Sequence, residues 1–204
     1  MVQEHRARRE VRMGWILLLV QLPSDPSRHR VAVWRELRRG GAVPVGAGTW
    51  ALPASPAFQA AIDRARTLCA RGGGTFAILD AVPRDEESDR VLRDAFVSAR
   101  LEEWAEFERD CGRFEQDIAD ETAKGTTTFS ELEEQEQSLD RLRRWYRDLR
   151  KRDVLLLPEA RNAERRLRSC EGLLNDFAER VYEAVRRSDT WSGEHRVVRP
   201  AELG

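Results

Sequence analysis

The feature that most constrains the fold is a change in hydrophobic periodicity near Asp85. Before this residue, short apolar runs alternate with helical patterns, and Gly and Pro separate them. After it, apolar residues recur at steps of three and four as far as Val181, a spacing typical of long helices. We therefore predict an α+β domain over residues 13–84 and a helical domain over residues 85–187. The segments 1–12 and 188–204 are expected to be a disordered basic arm and a disordered tail.

The apolar run 15–22 predicts a strand that is covered on both faces. A membrane-spanning helix needs about 20 apolar residues, so this run is too short to cross a bilayer. No small-residue cleavage site follows it, which argues against a secretory signal. These observations predict a cytoplasmic protein that does not contact a membrane.

The remaining elements of the first domain alternate in a recognisable order. Asp25 is a plausible N-cap and Pro26 a plausible first-turn residue for a helix that ends at Gly40. Strand, turn and strand follow over 42–52, then a helix over 56–71 and a last strand over 75–82. The order β-α-β-β-α-β predicts a ferredoxin-like fold. Segment 49–52 is apolar and uncharged, so we interpret it as a poorly guarded edge strand and expect a homodimer.

The second domain is predicted to contain three helices. Ser130 and Glu133 form a candidate capping box for the middle helix. Short connections between the helices favour an antiparallel three-helix bundle or a hairpin coiled coil. The first predicted apolar seam consists of Val97, Leu101, Trp104, Phe107, Cys111, Phe114 and Ile118. The last consists of Ala163, Leu167, Cys170, Leu174, Phe177 and Val181.

The net charge of -1 conceals an uneven distribution. Residues 1–79 contain 12 basic and 5 acidic side chains, whereas residues 80–137 contain 7 basic and 19 acidic ones. Of the 35 basic residues, all but Lys124 and Lys151 are Arg. Two interpretations of this preference for Arg are open. One is the codon bias of a GC-rich genome, and the other is recognition of oxyanions or phosphates by guanidinium groups.

A basic first helix and a basic arm are the most suggestive functional feature. Such a set neutralises phosphates and gives affinity for nucleic acid, although a solubilising helix face is the simpler interpretation. On a helix, Arg28, Arg35 and Arg39 fall near one side, while Val33, Trp34 and Leu37 supply the apolar surface. The predicted nucleic-acid-binding residues are Arg8, Arg9, Arg28, Arg35, Arg38 and Arg39.

Other chemistry is not indicated. The three histidines, His5, His29 and His195, lie far apart without ligand spacing, so no metal and no cofactor are predicted. Cys111 and Cys170 fall on the helical seams, where packing is the default role. No nucleophile and base pair is evident, so we do not expect an enzyme.

Several segments together resemble a known family, the N-terminal domain of ChrB-type chromate-resistance regulators. The resemblance covers about residues 13–187. The segments that carry it are 15–23, 30–42, 48–53, 129–134, 142–145, 150–153, 170–171 and 177–182. The front end is also similar to the dimerising domain of PaaX-type repressors and to a small CRISPR-associated subunit with a ferredoxin-like fold.

The resemblance implies a DNA-linked transcriptional regulator of chromate, or oxyanion, resistance. ChrB-type regulators usually carry a further C-terminal domain, which these 204 residues do not include, so a stand-alone N-terminal domain is expected. The alternative is a dimeric protein-interaction module that does not bind DNA and partners a separately encoded chromate-resistance domain. Nuclease relatives place an Asp at the end of the first strand, where this chain has Gln21, so metal-dependent cleavage is not expected.

Overall fold

The computed structural model describes residues 13–125 and 128–194, with side chains as far as Arg187. The chain forms two compact units. The first contains the described residues up to Glu103 together with Asp148–Leu157, and the second contains Trp104–Arg147 and the chain from Pro158 onward. The first unit thus extends past the predicted boundary at residue 84. The predicted basic arm, with Arg8 and Arg9, lies outside the described residues.

The first unit is built on a four-stranded antiparallel sheet. Its elements are β1 (Trp15–Gln21), α1 (Ser27–Arg39), β2 (Val43–Gly46), β3 (Thr49–Pro53), a short 3-10 turn (Pro56–Phe58), α2 (Gln59–Arg71) and β4 (Thr75–Ala81). The strand order β2-β3-β1-β4 is that of a ferredoxin-like sheet, which confirms the predicted fold class.

The position of β3 corrects one interpretation of the sequence. The segment 49–52 pairs with β1 on one side and with β2 on the other, so it is central and not an edge. Its lack of charge reflects burial, since Trp50, Ala51 and Leu52 are all buried. The edges of the sheet are β2 and β4.

One face of the sheet packs against α1 and α2. Side chains alternate between faces along a strand, and the even-numbered residues of β1, among them Leu18, lie on this face. Leu18 and Ile62 are almost fully buried there, as is Val33 of α1. The predicted N-cap of α1 is wrong, because Pro26 occupies the N-cap position and no side chain caps the helix.

The opposite face is covered only in part. Trp15 is fully buried and packs edge-to-face on Phe96, a residue of α3 (Glu86–Lys124). Further along the same face, Leu19 of β1 and Leu79 of β4 are 42% and 43% exposed. The sheet therefore leaves an apolar surface open beside the edge strand β4.

The second unit contains the later part of α3, most of α4 (Phe129–Arg152) and α5 (Glu159–Glu194). Phe107 packs on Trp145 between α3 and α4. Arg143 pairs with Glu171 between α4 and α5. Contacts among all three helices identify a three-helix bundle, in which consecutive helices are antiparallel. Helix α5 continues to Glu194, so the prediction that disorder begins at residue 188 is wrong.

The predicted capping box of the middle helix is wrong. The capping box of α4 is formed by Thr128 and Glu131, because Glu131 Oε2 accepts a hydrogen bond from the Thr128 amide at 2.8 Å. Ser130 lies inside the helix instead. Among the described helices, none combines the length and the apolar character that crossing a bilayer requires.

Candidate nucleic-acid interface

Helix α1 carries four of the predicted nucleic-acid-binding residues, and three of the four share one side of the helix. At 100° per residue, Arg28, Arg35 and Arg39 lie on the side opposite the buried residue Val33. We name these three the outer row. All three are exposed. Arg38 lies outside this row, on the flank of the helix that also presents Trp34.

The three arginines of the outer row differ in how their charges are compensated. Within the part of the chain that the structure describes, Arg35 forms no ion pair with an acidic side chain. Arg28 Nε lies 3.5 Å from His29 Nε2. Arg39 forms an ion pair with Glu36, although 69% of its own side chain is exposed. The row therefore presents three guanidinium groups to solvent.

Glu36 is a buried acid that the periodicity analysis missed. It is 6% exposed and lies between α1 and α2, where Oε1 accepts a hydrogen bond from Arg64 Nε at 2.7 Å. Two arginines thus compensate one buried carboxylate. The sequence contains a signal for this burial. Glu36 lies toward the core side of α1 and has basic neighbours, and a buried charge requires such partners.

Trp34 is the second residue that the structure places differently. Sequence periodicity assigned it to the apolar surface of α1, but it is 52% exposed. The Arg38 guanidinium lies over its ring, 5.6 Å from the ring centroid. The apolar stripe of α1 is therefore narrower than predicted and is centred on Val33 and Leu37.

Helix α2 adds basic side chains next to α1. Arg64 contacts Glu36, and Arg66 contacts Asp63 at 2.8 Å. Hydrogen bonds from Arg66 and Gln59 lower the pKa of Asp63, so this carboxyl group is ionised at neutral pH and offsets one arginine. The basic character of the helical face thus comes mainly from α1.

The described residues around α1 do not form a metal centre. Across residues 13–125 and 128–194, no cluster of three or more His, Cys, Asp or Glu side chains has the arrangement of a metal site. Gln21 is exposed at the end of β1. His29 packs against the end of α2, where its Cβ lies close to Gly72.

Comparison with known proteins places the chain in a family. The model of the family described as "Protein ChrB, N-terminal" matches residues 30–188. The chain belongs to this family. The match includes most of α1, with Arg35 and Arg39 of the outer row but not Arg28, and nearly all of the helical region, so the family resemblance of the sequence is confirmed.

A curated relative supports the same assignment. "Protein ChrB" of Cupriavidus metallidurans is 29% identical over 92 residues, which are 45% of this chain and 28% of the relative. The aligned region thus spans little more than a quarter of that family member. No solved structure matches the chain.

Proposed function

We propose that the chain is a DNA-linked transcriptional regulator of chromate, or oxyanion, resistance. Membership of the ChrB N-terminal family relates it to chromate resistance. The observation that carries the DNA-binding part is the outer row, which presents three exposed arginines on one side of α1. Guanidinium groups in such a row neutralise phosphates and release counterions, which gives affinity that depends strongly on salt.

The distribution of charge along the chain supports α1 as the part that contacts DNA. Residues 80–137 contain 19 acidic side chains, so DNA would repel this part of the chain. The basic face of α1 belongs to the first unit, whereas 11 of these 19 acids lie in the second unit. DNA is therefore proposed to contact the helical face of the first unit. The compartment that follows from this function is the cytoplasm.

The test measures binding to the DNA upstream of the gene at several salt concentrations. We expect the logarithm of the affinity to fall linearly with the logarithm of the salt concentration, with a slope near -0.9 per neutralised phosphate. Arg28→Ala with Arg35→Ala should weaken binding and flatten the slope by about two units. Arg39 is left intact because it compensates the buried Glu36.

Arg168→Ala is the matched control. The Arg168 side chain is 71% exposed but lies on α5 in the helical bundle, so its loss should leave the slope unchanged. If the wild type does not bind at low salt, or if the double variant keeps the wild-type slope, the DNA-binding proposal fails. The alternative is then a dimeric protein-interaction module that partners a separately encoded chromate-resistance domain.

A second copy of the chain is the proposed partner of the open apolar surface. Leu19 and Leu79 lie on it, beside β4, which is an edge strand of the sheet among the described residues. Because exposed strand edges and apolar patches favour association, we propose a homodimer through this surface.

Leu79→Glu should convert the dimer to a monomer in sedimentation, whereas Val91→Glu, at an exposed position of α3, should not. A monomeric wild type at tens of micromolar would exclude this interface, since interfaces of about standard size persist there.

A further inference from the structure

A second row of three residues on α1 lies outside the outer row. Arg30, Trp34 and Arg38 are spaced by four residues, so they form a continuous row along one flank of the helix. We name it the Trp34 row. All three side chains are exposed. No acidic partner of Arg30 or Arg38 is found among the residues that the structure describes.

An open groove lies next to this row, between α1 and the β2–β3 turn. Its volume is about 400 Å³. Trp34 and Trp50 line it together with Arg30 and the apolar side chains Val33 and Leu37. Trp50 is buried, so it fixes the floor of the groove, whereas Trp34 stands at the rim. The groove therefore has aromatic walls and a positive charge at its edge.

Trp34 is 52% exposed, on a flank of α1 that also carries Arg30 and Arg38. An exposed aromatic ring next to cations can bind a planar anionic ligand through stacking and charge. The Arg38 guanidinium over the indole holds the ring in place through a cation–π contact. A flat, oriented ring beside two cations favours a ligand that is both planar and anionic.

A nucleotide has both properties. Its base is a flat π system that stacks on aromatic side chains, and its phosphates pair with arginines. A base inside an intact duplex cannot present its face, so only an unpaired base meets this requirement. An acidic peptide would satisfy the arginines but would leave the ring face without a planar partner.

We propose that Trp34 stacks on an unpaired nucleobase, while Arg30 and Arg38 contact the phosphates that flank it. This proposal rests on the proposed DNA-linked function, which it deepens by naming the structural form of the nucleic acid. The outer row would hold the backbone, and the Trp34 row would recognise a base that has left the stack.

The test compares three probes of one length: a single-stranded oligonucleotide, its duplex, and the same single strand with abasic positions. Binding of the full chain is measured at fixed salt. We expect the wild type to prefer the single strand over the abasic strand by about tenfold or more, the size of a stacking contact. Trp34→Ala should lose this preference, and Trp34→Phe should keep most of it.

Tyr182→Ala is the matched control, because Tyr182 is also an aromatic residue with 52% exposure but lies on α5. It should bind all probes like the wild type. A far-ultraviolet spectrum equal to that of the wild type shows that each variant is folded. The salt slope of Trp34→Ala should also equal the wild-type slope, because no charge has been removed.

Three results would overturn the stacking proposal. One is equal affinity of Trp34→Ala and wild type for the single strand. Another is an equal loss on the single strand and on the abasic strand, which would show that the ring does not contact a base. The third is tighter binding of polyglutamate than of the single strand, which would identify an acidic protein partner. If duplex binding still depends on Arg28 and Arg35, only the stacking proposal fails; if no probe binds, the DNA-linked function fails as well.

Discussion

Arg100 donates a hydrogen bond from Nη1 to the backbone carbonyl oxygen of Gly41 at 3.0 Å, from a side chain that is only 3% exposed. Its Nη2 donates to Glu103 Oε1 at 3.1 Å, and its guanidinium lies 4.7 Å from the centroid of the Phe96 ring. Burial lowers the pKa of Arg100, and Glu103 opposes this shift. The guanidinium stays charged at neutral pH, since Arg does not deprotonate in proteins.

Removing this side chain should destabilise the first unit. Arg100→Ala would leave the Gly41 carbonyl without its donor and Glu103 without its nearest cation, so the free energy of unfolding should fall by about 3 kcal/mol. Arg93→Ala is the control, because Arg93 is exposed and pairs with Asp89 at 3.2 Å on the same helix. It should cost less than about 1 kcal/mol. Equal losses in chemical denaturation would contradict the structural role of Arg100.

Gly41 should also be intolerant of a side chain. Its φ is +92°, and a Cβ would lie 2.9 Å from Arg100 Nη1 and 3.1 Å from Arg152 Cδ. Gly73 has a similar φ of +69°, but a Cβ there would meet nothing within 4 Å. In chemical denaturation, Gly73→Ala should therefore lower the free energy of unfolding by about 1 kcal/mol, through backbone strain alone. Gly41→Ala should lower it by about twice as much. A smaller loss at Gly41 than at Gly73 would show that the side chains around Gly41 move aside freely.

The cap of α4 gives a sharp comparison between two neighbouring residues. Thr128 Oγ1 accepts a hydrogen bond from the Glu131 amide at 3.3 Å, and Glu131 Oε2 accepts one from the Thr128 amide. Thr128→Ala should therefore lower the free energy of unfolding by about 1 kcal/mol. Ser130→Ala, inside the helix, should be neutral or slightly stabilising, because Ala is the better helix former. The reverse result in thermal melts would restore the capping box first predicted from the sequence.

The thiols of the bundle should react slowly in the native protein. Cys111 and Cys170 are free and buried, which confirms their predicted packing positions. A hydrogen bond with Cys170 and burial both raise the pKa of Cys111, so little thiolate forms there near neutral pH. A bulky maleimide should label neither thiol until denaturant is added. Rapid native labelling would show that α3 and α5 separate in solution.

The order of the elements was predictable because periodicity reports which residues face a core. At the start of α3, however, periodicity predicts the wrong buried residues. The predicted seam used Val97 and Leu101, whereas the buried residues are Phe96 and Arg100. The first turns of α3 pack on the sheet of the first unit, so the heptad of the bundle does not apply there. The burial of Arg100 could not be predicted either. Its pairing with Glu103 follows from i,i+3 spacing, but its hydrogen bond to Gly41 joins residues that are far apart in the sequence.

The candidate site was predictable in part. The grouping of Arg28, Arg35 and Arg39 on one side of α1 follows from helical geometry alone. The exposure of Trp34 does not, because an apolar residue next to the core stripe is buried or exposed according to how closely the neighbouring strands approach. The burial of Glu36 also depends on a contact between elements, since Arg64 on another helix compensates its charge.

The two edges of the sheet are unequal, and this limits how molecules of this kind can aggregate. Strand β2 is four residues long, contains Pro44 and is irregular between Pro44 and Gly46. These features discourage further strands from adding there. Strand β4 has seven residues and no proline. A sheet that accepts a neighbour at one edge only cannot propagate, because two copies joined through β4 present only their blocked β2 edges. If copies of the chain associate edge to edge, we therefore expect the assembly to stop at two molecules and not to continue into a fibre.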